Sequence, residues 1–496
     1  MNRKDFFNII FFILAAIAIF YPLFYSEYLY TDEAVQLWLY KKGSNFQMFL
    51  PQGRYIAEKL FQWLFSGVNT IHDLKFIRLF SFFGWILCIP VWYFIIKKIV
   101  IRERLPGLLI SFSILYLVCT PSFSIYVSWA SVIELFIANT AGLISGYILY
   151  SFISLEDGRI KKPLPVITGA TLFGIISLFT YQNGFGCFLL PFLLHLIARP
   201  RNFRTIFIAI GIYLLVYVLY YILFKYTIQL NKIETINRTK ISFNVFPKVR
   251  FFVRPLATAF HFTYLFNEKS IPGFIIYLIT FLSWLIVDFY RSSSFSFKSY
   301  VKFFALVLLM LIFIYLPSLI TKENYFSNRT LLAINMAVFF LVATTLLQVV
   351  RKDKVKLTVG IISALFAFNA WFNFNKQFLN PLEEEYRKVR GFIENHYNPD
   401  INTVYFIRPH EDFFVSRYNI TRSWDEFGVP STFFDWVPEF FVKQIIFEKT
   451  RSRTTAEKLV IKHWSGKEGF LRSNQPISKE TLLVDVEEII SGNDDR

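Results

Sequence analysis

The chain has 496 residues, of which 55% are hydrophobic and 20% aromatic, and its formal net charge is +17. Apolar runs of about twenty residues recur along it, each long enough to cross a hydrocarbon core of about 30 Å. Backbone groups cannot be hydrated in lipid, so these runs must be helices. The composition excludes an ordinary soluble protein and predicts an all-α polytopic membrane protein.

The first apolar segment is predicted to be a membrane anchor. It runs from Phe6 to Tyr25 and follows the basic residues Arg3 and Lys4, as at the start of a signal peptide. The apolar run is too long for a signal peptide, and no small-residue cleavage site ends it. We therefore expect an uncleaved transmembrane helix.

Hydropathy predicts eleven transmembrane helices. Basic residues concentrate in five short loops, and all five fall on the side of the membrane that holds Arg3 and Lys4. Because short cytoplasmic loops are enriched in Lys and Arg, the N-terminus is predicted to be cytoplasmic. The predicted helices span residues 6–26, 76–97, 105–121, 130–152, 164–181, 184–198, 204–224, 271–289, 300–320, 329–349 and 357–378.

In this topology, every sizeable segment that lies outside the membrane is on the extracytoplasmic side. We expect a transmembrane domain over residues 1–379 and an extracytoplasmic domain over 380–496. The latter holds 16 Lys and Arg against 20 Asp and Glu, unlike the strongly basic remainder. Two of its runs, 403–407 and 481–486, read as strands, so a small α/β domain is predicted. The other external segments are 27–75, 226–270 and 321–328.

An acidic pair, Asp32-Glu33, stands just beyond the first helix. Carboxylates at a membrane boundary are costly unless they have a role. One of them could act as a general base that takes a proton from an attacking hydroxyl. The alternative is that Asp32 caps the following short helix and Glu33 lies in its first turn.

Arg54 lies in the same external segment and precedes an amphipathic stretch, residues 55–65. The apolar face of this stretch includes Trp63, and Glu58 lies on the opposite face. The pattern predicts a helix in the membrane interface with its tryptophan at headgroup level. Arg54 could hold a phosphate, because a guanidinium group matches phosphate oxygens with paired donors.

Further candidates for phosphate or substrate binding lie later in the chain. The long loop 226–270 is basic and contains Arg250 and Arg254. It would either bind a phosphate-bearing substrate or rest on anionic lipid. Arg329 stands where the tenth helix begins and is either an interfacial anchor or a site residue. Glu134 lies just inside the outer end of the fourth helix, and an acid within the membrane is a functional-site hypothesis by default.

The order of features in residues 1–100 resembles a known family. A first span is followed by Asp-Glu in an external loop, an interfacial helix, and FIRLF at 76–80 opening the second span. This order is similar to the GT-C superfamily of integral membrane glycosyltransferases. TDE at 31–33 and QGRY at 52–55 look most like the Gtr-type O-antigen glucosyltransferases. Bacterial mannosyltransferase-like families share the Asp-Glu and the later Arg-Leu. From residue 100 to 379 the resemblance is topological, and the tail shows none.

The resemblance implies transfer of a sugar from a polyprenyl-phosphate donor to an extracytoplasmic glycan or glycolipid acceptor at the cell membrane. The family's acid falls on Asp32, with Glu33 adjacent. The Gtr-type pattern usually has two aspartates, so which carboxylate acts stays open. Arg54 and Arg329 would stabilise the departing phosphate, with Arg250, Arg254 and Glu134 as further binding candidates.

Other functions stay open at this point. A cell-surface polysaccharide polymerase would share the helix count and the basic external loops, and a lipid-linked-sugar flippase, another transporter or a non-catalytic assembly protein are further alternatives. The sequence contains no phosphate-binding glycine loop and no metal-ligand cluster. No cofactor is therefore predicted, although a divalent metal stays open. The expected partners are the lipid bilayer, the lipid-linked donor and the acceptor, not nucleic acid.

Overall fold

A computed structural model describes residues 2–153, 159–200, 202–234, 236, 238–242, 244–261, 271–291, 296–422 and 426–492. Helices dominate it, as predicted. The helices that precede the C-terminal domain are α1 (Arg3–Phe20), α2 (Asp32–Leu39), α3 (Tyr55–Phe65), α4 (Leu74–Arg102), α5 (Leu108–Cys119), α6 (Pro121–Ser128), α7 (Leu135–Phe152), α8 (Pro163–Thr180), α9 (Leu190–Ala198), α10 (Phe203–Asn231), α11 (Val245–Phe260), α12 (Ile271–Arg291), α13 (Phe297–Ile314), α14 (Leu316–Ile320), α15 (Leu332–Val349) and α16 (Val355–Phe372).

The number of membrane spans can be compared with the prediction. Each of the eleven predicted segments coincides with a helix in the described chain. Eight of the described helices are long and apolar enough to cross a membrane, or nine if the pair α5 and α6, bent by 49°, forms one span. A multi-pass membrane protein follows from these lengths, and the count of eleven stays a prediction.

The centre of the bundle is formed by α7 and α15, the most buried of the spans. Gly142 and Gly146 lie one turn apart on α7 and face the backbone of residues 182–189. A Cβ atom at either glycine would collide with a carbonyl oxygen, of Gly184 or of Phe188. Small residues at this spacing let two backbones approach closely. The chain that follows α8 is thereby held against α7.

The C-terminal part is a small α/β unit, as predicted. Its sheet has three parallel strands, β1 (Thr403–Arg408), β2 (Val460–Ser465) and β3 (Thr481–Asp485), in the order β2-β1-β3. Thr403 lies opposite Val460 on one side and Thr481 on the other. The predicted strands at 403–407 and 481–486 are confirmed, and β2 was not predicted. The elements are α17 (Asn380–His396), β1 (Thr403–Arg408), α18 (Phe413–Tyr418), α19 (Val437–Thr450), α20 (Arg453–Lys458), β2 (Val460–Ser465), α21 (Gly466–Arg472), β3 (Thr481–Asp485) and α22 (Val486–Ser491).

One continuous helical run connects the helical bundle to the C-terminal domain. A π-helical turn, Asn373–Leu379, joins α16 to α17, so the helical run extends from Val355 to His396. The chain therefore passes the predicted boundary between residues 379 and 380 without a break in helix. As a result, the domain is attached through a rigid element rather than a flexible linker.

Two ends of the bundle can be distinguished by their contacts. At one end, which we call the loop end, the C-terminal domain accepts the backbone N–H groups of Thr31, Ile71 and Asn328. At the opposite end, Asp5 pairs with Lys97 at 2.6 Å. The described parts of segments 27–75 and 321–328 and the C-terminal domain thus meet at a single end.

The loop end has two features that the sequence pattern did not predict. Glu58, predicted on the face of α3 opposite its apolar residues, is 1% exposed, whereas Trp63 is 66% exposed, as an interfacial tryptophan should be. Within the predicted loop 226–270, α10 continues to Asn231 and α11 occupies Val245–Phe260. Residues 262–270, including Lys269, lie outside the described chain.

Candidate functional site

A cavity of about 340 Å³ lies at the loop end, between α10, the turn after α8 and the segment that precedes α15. Two arginines, Arg54 and Arg238, contribute to its wall. Most of its other polar lining consists of tyrosine hydroxyl groups and uncharged amides. The wall therefore carries two cations and one carboxylate, that of Glu323. Its tyrosines are Tyr181, Tyr217, Tyr220, Tyr221 and Tyr325.

Arg54 is placed by a tight turn that needs glycine. Gly53 has φ +77°, and a Cβ there would collide with the Tyr220 hydroxyl, which donates to the Gly53 carbonyl at 3.0 Å. The Arg54 Nε donates to the Gln182 side chain at 3.2 Å, and its guanidinium lies 4.0 Å from the ring centroid of Tyr181. These partners are neutral, and burial lowers the pKa of Arg54. The charge of Glu134 opposes this shift, and an anionic ligand would offset the remaining cost of burying the cation.

Glu58 orders the turn that leads to Arg54. Its carboxylate accepts the backbone N–H groups of Phe49 and Leu50 at 2.7 and 3.2 Å and the Tyr40 hydroxyl at 3.1 Å. Burial raises the pKa of this carboxyl, although those donors oppose the rise. Its position explains why this acid of α3 points inward. Because this turn packs against the bundle, the Glu58 carboxylate takes the place of water as the acceptor for its N–H groups.

Arg238 is a site residue that the sequence did not single out. Its Nε lies 3.0 and 3.2 Å from the two carboxylate oxygens of Glu323, and its guanidinium lies 5.0 Å from the ring centroid of Tyr325. The pair is partly exposed, with side-chain exposures of 40% and 34%. Nothing in the local sequence distinguishes Arg238 from the other basic residues of its segment. Its place in the same cavity wall as Arg54 comes from the packing of the chain around α10.

Arg329 and Glu134 lie close to this cavity. The Arg329 guanidinium stacks 4.6 Å from the ring centroid of Trp129 and 4.9 Å from that of Tyr325, and it donates to the Tyr325 hydroxyl. Glu134 is fully buried, and neither of its carboxylate oxygens has a hydrogen-bond partner among the described residues. The charges of Arg54 and Arg329 both act on it. These three sequence-predicted residues are therefore brought together.

The acidic pair divides into two different environments. Glu33 is fully buried and forms an ion pair with Arg78 at 2.5 Å. It also accepts the backbone N–H groups of Ala130 at 2.6 Å and of Tyr30 at 2.8 Å. A carboxylate held by so many donors is well placed to fix the local fold. Asp32, by contrast, is half-buried at the start of α2.

Asp32 does not cap α2, contrary to the alternative considered from the sequence. The helix begins at Asp32 itself, and the capping position is Thr31, whose side chain makes no capping bond. Thr31 has φ +43° and ψ −115°, a strained conformation for a β-branched residue. Just before it, the Tyr30 ring packs 5.1 Å from the ring of Trp129, the residue on which Arg329 stacks. The acidic loop and Arg329 thus share one tryptophan.

Arg250 and Arg254 lie apart from this group. Both are exposed on α11, on the side opposite to its buried residues, and neither contributes to the cavity wall. Lys248 is the buried cation of that helix, and its amino group donates to the Thr321 carbonyl and the Asn324 side chain. The structure therefore does not bring Arg250 and Arg254 to the predicted phosphate site.

No group of three or more His, Cys, Asp or Glu side chains in the described chain is arranged to hold a metal ion. No protein-family model matches the chain, and neither does any curated protein. The likeness to the GT-C superfamily consequently rests on the residues of this chain alone.

Proposed function

We propose that this protein is a membrane glycosyltransferase that moves a sugar from a polyprenyl-phosphate donor to an extracytoplasmic glycan or glycolipid acceptor. One observation carries the proposal. The loop-end cavity combines the cations Arg54 and Arg238 with residues of α10, among them Val218 and Ile222, that are more than half exposed on the lipid-facing surface. A wall that is cationic at one place and apolar at another suits a ligand with an anionic head and a hydrocarbon tail.

The charge distribution favours a phosphate as that anionic head. Arg54 and Arg329 are stacked on aromatic rings, which holds their guanidinium groups in a defined orientation. Guanidinium groups so fixed bind phosphate oxygens with paired hydrogen bonds. In the proposed topology the loop end faces the extracytoplasmic side, where nucleotide sugars are absent. A sugar carried on a lipid phosphate would serve as the sugar donor on that side.

The proposed reaction is a direct displacement at the anomeric carbon. The acceptor hydroxyl loses its proton to a carboxylate, and its oxygen forms the new bond to the anomeric carbon. The bond from that carbon to the phosphate oxygen breaks, and the electron pair leaves with the phosphate. Arg54 and Arg329, with Arg238, would stabilise the negative charge that develops there.

Asp32 is the carboxylate that we assign as the base. Glu33 already accepts hydrogen bonds from Arg78, Tyr30 and Ala130 and has no exposed surface. Asp32 is the accessible member of the pair, since it is half-buried. In this assignment Glu33 anchors the loop on which Asp32 sits, and Asp32 performs the proton transfer.

A transfer assay tests the proposal. Cell membranes that contain the protein are incubated with polyprenyl-phosphate-linked radiolabelled glucose, mannose or galactose, and labelled glycolipid or glycan is measured. We expect transfer from one of these donors by the wild type and none by Asp32→Asn at equal protein level in the membrane. Absence of transfer from all three donors, or full activity in both Asp32→Asn and Glu33→Gln, would contradict the proposal.

A further inference from the structure

The C-terminal domain holds the strained residue that precedes Asp32. The backbone N–H of Thr31 donates to the Ser431 hydroxyl at 2.8 Å, and both residues are buried. A positive φ at a threonine persists only where the surroundings impose it. Ser431, which accepts this bond, comes from 400 residues further along the chain.

The same domain also holds the segment that carries Arg329. The carboxylate of Glu426 accepts the backbone N–H of Asn328 at 2.7 Å and that of Arg329 at 3.2 Å. The backbone carbonyl of Glu426 accepts the Tyr30 hydroxyl at 3.3 Å. Glu426 is 1% exposed, so water does not compete for these bonds. One residue thereby contacts both the Arg329 segment and the acidic loop.

The continuous helix α16–α17 connects these contacts to the membrane bundle. Glu385, on α17, accepts the backbone N–H groups of Ser431 at 2.9 Å and Thr432 at 3.0 Å. Ser431 is therefore fixed on one side by Glu385 and on the other binds Thr31. The transmembrane helices are thus connected to Thr31, the residue before Asp32, through the helix α16–α17, the Glu385 carboxylate and the Ser431 hydroxyl.

We propose that the C-terminal domain sets the geometry between the general base and the phosphate-binding arginine, with Ser431 and Glu426 as its positioning residues. This inference rests on the proposed function of Asp32 and Arg329. Ser431 holds the backbone before Asp32, and Glu426 holds the backbone of Arg329. Because transfer requires the base and the departing phosphate on opposite sides of one carbon, an error of about 1 Å between them costs on the order of a hundredfold in rate.

The interface offers a matched control. Glu448 is also a buried carboxylate of the C-terminal domain, and it accepts the backbone N–H of Ile71 at 2.7 Å. Ile71 belongs to the same external segment as Asp32 but to its far end, after α3. Glu448→Gln therefore weakens the attachment of the domain without touching Thr31 or the Arg329 segment.

The experiment compares Ser431→Ala, Glu426→Gln and Glu448→Gln in the transfer assay, with the thermal midpoint of each purified protein. We expect kcat to fall about tenfold or more in Ser431→Ala and Glu426→Gln, with the donor KM within about twofold of wild type. Glu448→Gln should keep the wild-type kcat even if its midpoint falls. Equal kcat losses in all three, or wild-type kcat in the first two, would overturn the inference. If Glu426→Gln does not accumulate, Ser431→Ala decides, since it removes a single hydroxyl group.

Hydrogen exchange separates this inference from the proposed function. Ser431→Ala should raise amide exchange in residues 28–35, Glu426→Gln in 326–331, and Glu448→Gln in 69–74. If Asp32→Asn retains full transfer, the assignment of the base fails, and with it the catalytic part of this inference. If Asp32→Asn is inactive but exchange at 28–35 and 326–331 is unchanged by the first two variants, the positioning role alone is overturned.

Discussion

Glu33 and Arg78 form an ion pair with an Oε2–Nη2 distance of 2.5 Å, in which both side chains are buried. Arg78 also donates to the Tyr28 carbonyl at 2.9 Å and lies 3.5 Å from the ring centroid of that tyrosine. The Asp-Glu pair and the Arg-Leu of the second span, which carry the family resemblance, are therefore in direct contact. The contact connects the acidic loop to the N-terminal part of α4.

Loss of this ion pair should destabilise the protein. Glu33→Gln leaves the Arg78 guanidinium buried without its counter-charge, and we expect the free energy of unfolding to fall by about 3 kcal/mol. Asp32→Asn, at the neighbouring half-buried position, should have a much smaller effect. Thermal or denaturant unfolding of the two purified variants in detergent measures the difference. A Glu33→Gln protein as stable as wild type would show that the pair contributes no stability.

The two groups of arginines should respond differently to substitution. Arg54→Gln removes a guanidinium from the cavity wall and should raise the donor KM about tenfold to a hundredfold, as expected for a lost charge-assisted hydrogen bond. Arg250→Gln and Arg254→Gln change exposed residues of α11 and serve as matched controls. Donor KM is measured in the transfer assay for all three. A larger KM increase in the α11 variants than in Arg54→Gln would place the phosphate at α11.

The helices could be predicted from sequence because an apolar run of this length satisfies its backbone in lipid only as a helix. The inward direction of the Glu58 side chain could not be predicted, because the amphipathic pattern of α3 does not reveal that a turn nearby needs a buried acceptor. Nor could the placement of Arg54 and Arg238 in one cavity wall, which depends on how α10 packs against the turn at Gly53. Thr31 and Ser431 are 400 residues apart, and their contact exists only in the folded chain. Local sequence specifies elements, whereas the site is assembled from several of them.

Glu134 should matter for activity and not for stability. Its carboxylate has no hydrogen-bond partner among the described residues, so Glu134→Gln breaks no bond and removes a charge that is costly to bury. We expect the thermal midpoint to stay level or rise, while transfer falls about tenfold because Arg54 and Arg329 lose a charge that orients them. A variant with a much lower midpoint and unchanged transfer would assign Glu134 to the scaffold.

Lys41 predicts a pH dependence of stability. Burial, with the charge of Arg453 added, lowers the pKa of Lys41 to about 8 from its ordinary 10.5. Its amino group donates to the Val68 carbonyl at 3.1 Å. Between pH 8 and 10.5 the unfolded chain keeps the proton that the folded chain has released. The contribution of Lys41 to the free energy of unfolding therefore rises with pH across this window, and it is lost as pH falls through 8.

The measurement is the thermal midpoint in detergent from pH 7 to 10.5, compared between wild type and Lys41→Met. The variant carries no titrating group at this position, so its midpoint should exceed that of wild type most at pH 7, and the gap should narrow as pH rises. Lys42→Met is the control, because Lys42 is exposed and adjacent. A gap that stays constant with pH would mean that Lys41 is no more buried in solution than its neighbour. A gap that narrows would support the packing of the C-terminus of α2 against the turn at Val68, and with it the rigid frame that holds Asp32 at the other end of the same helix.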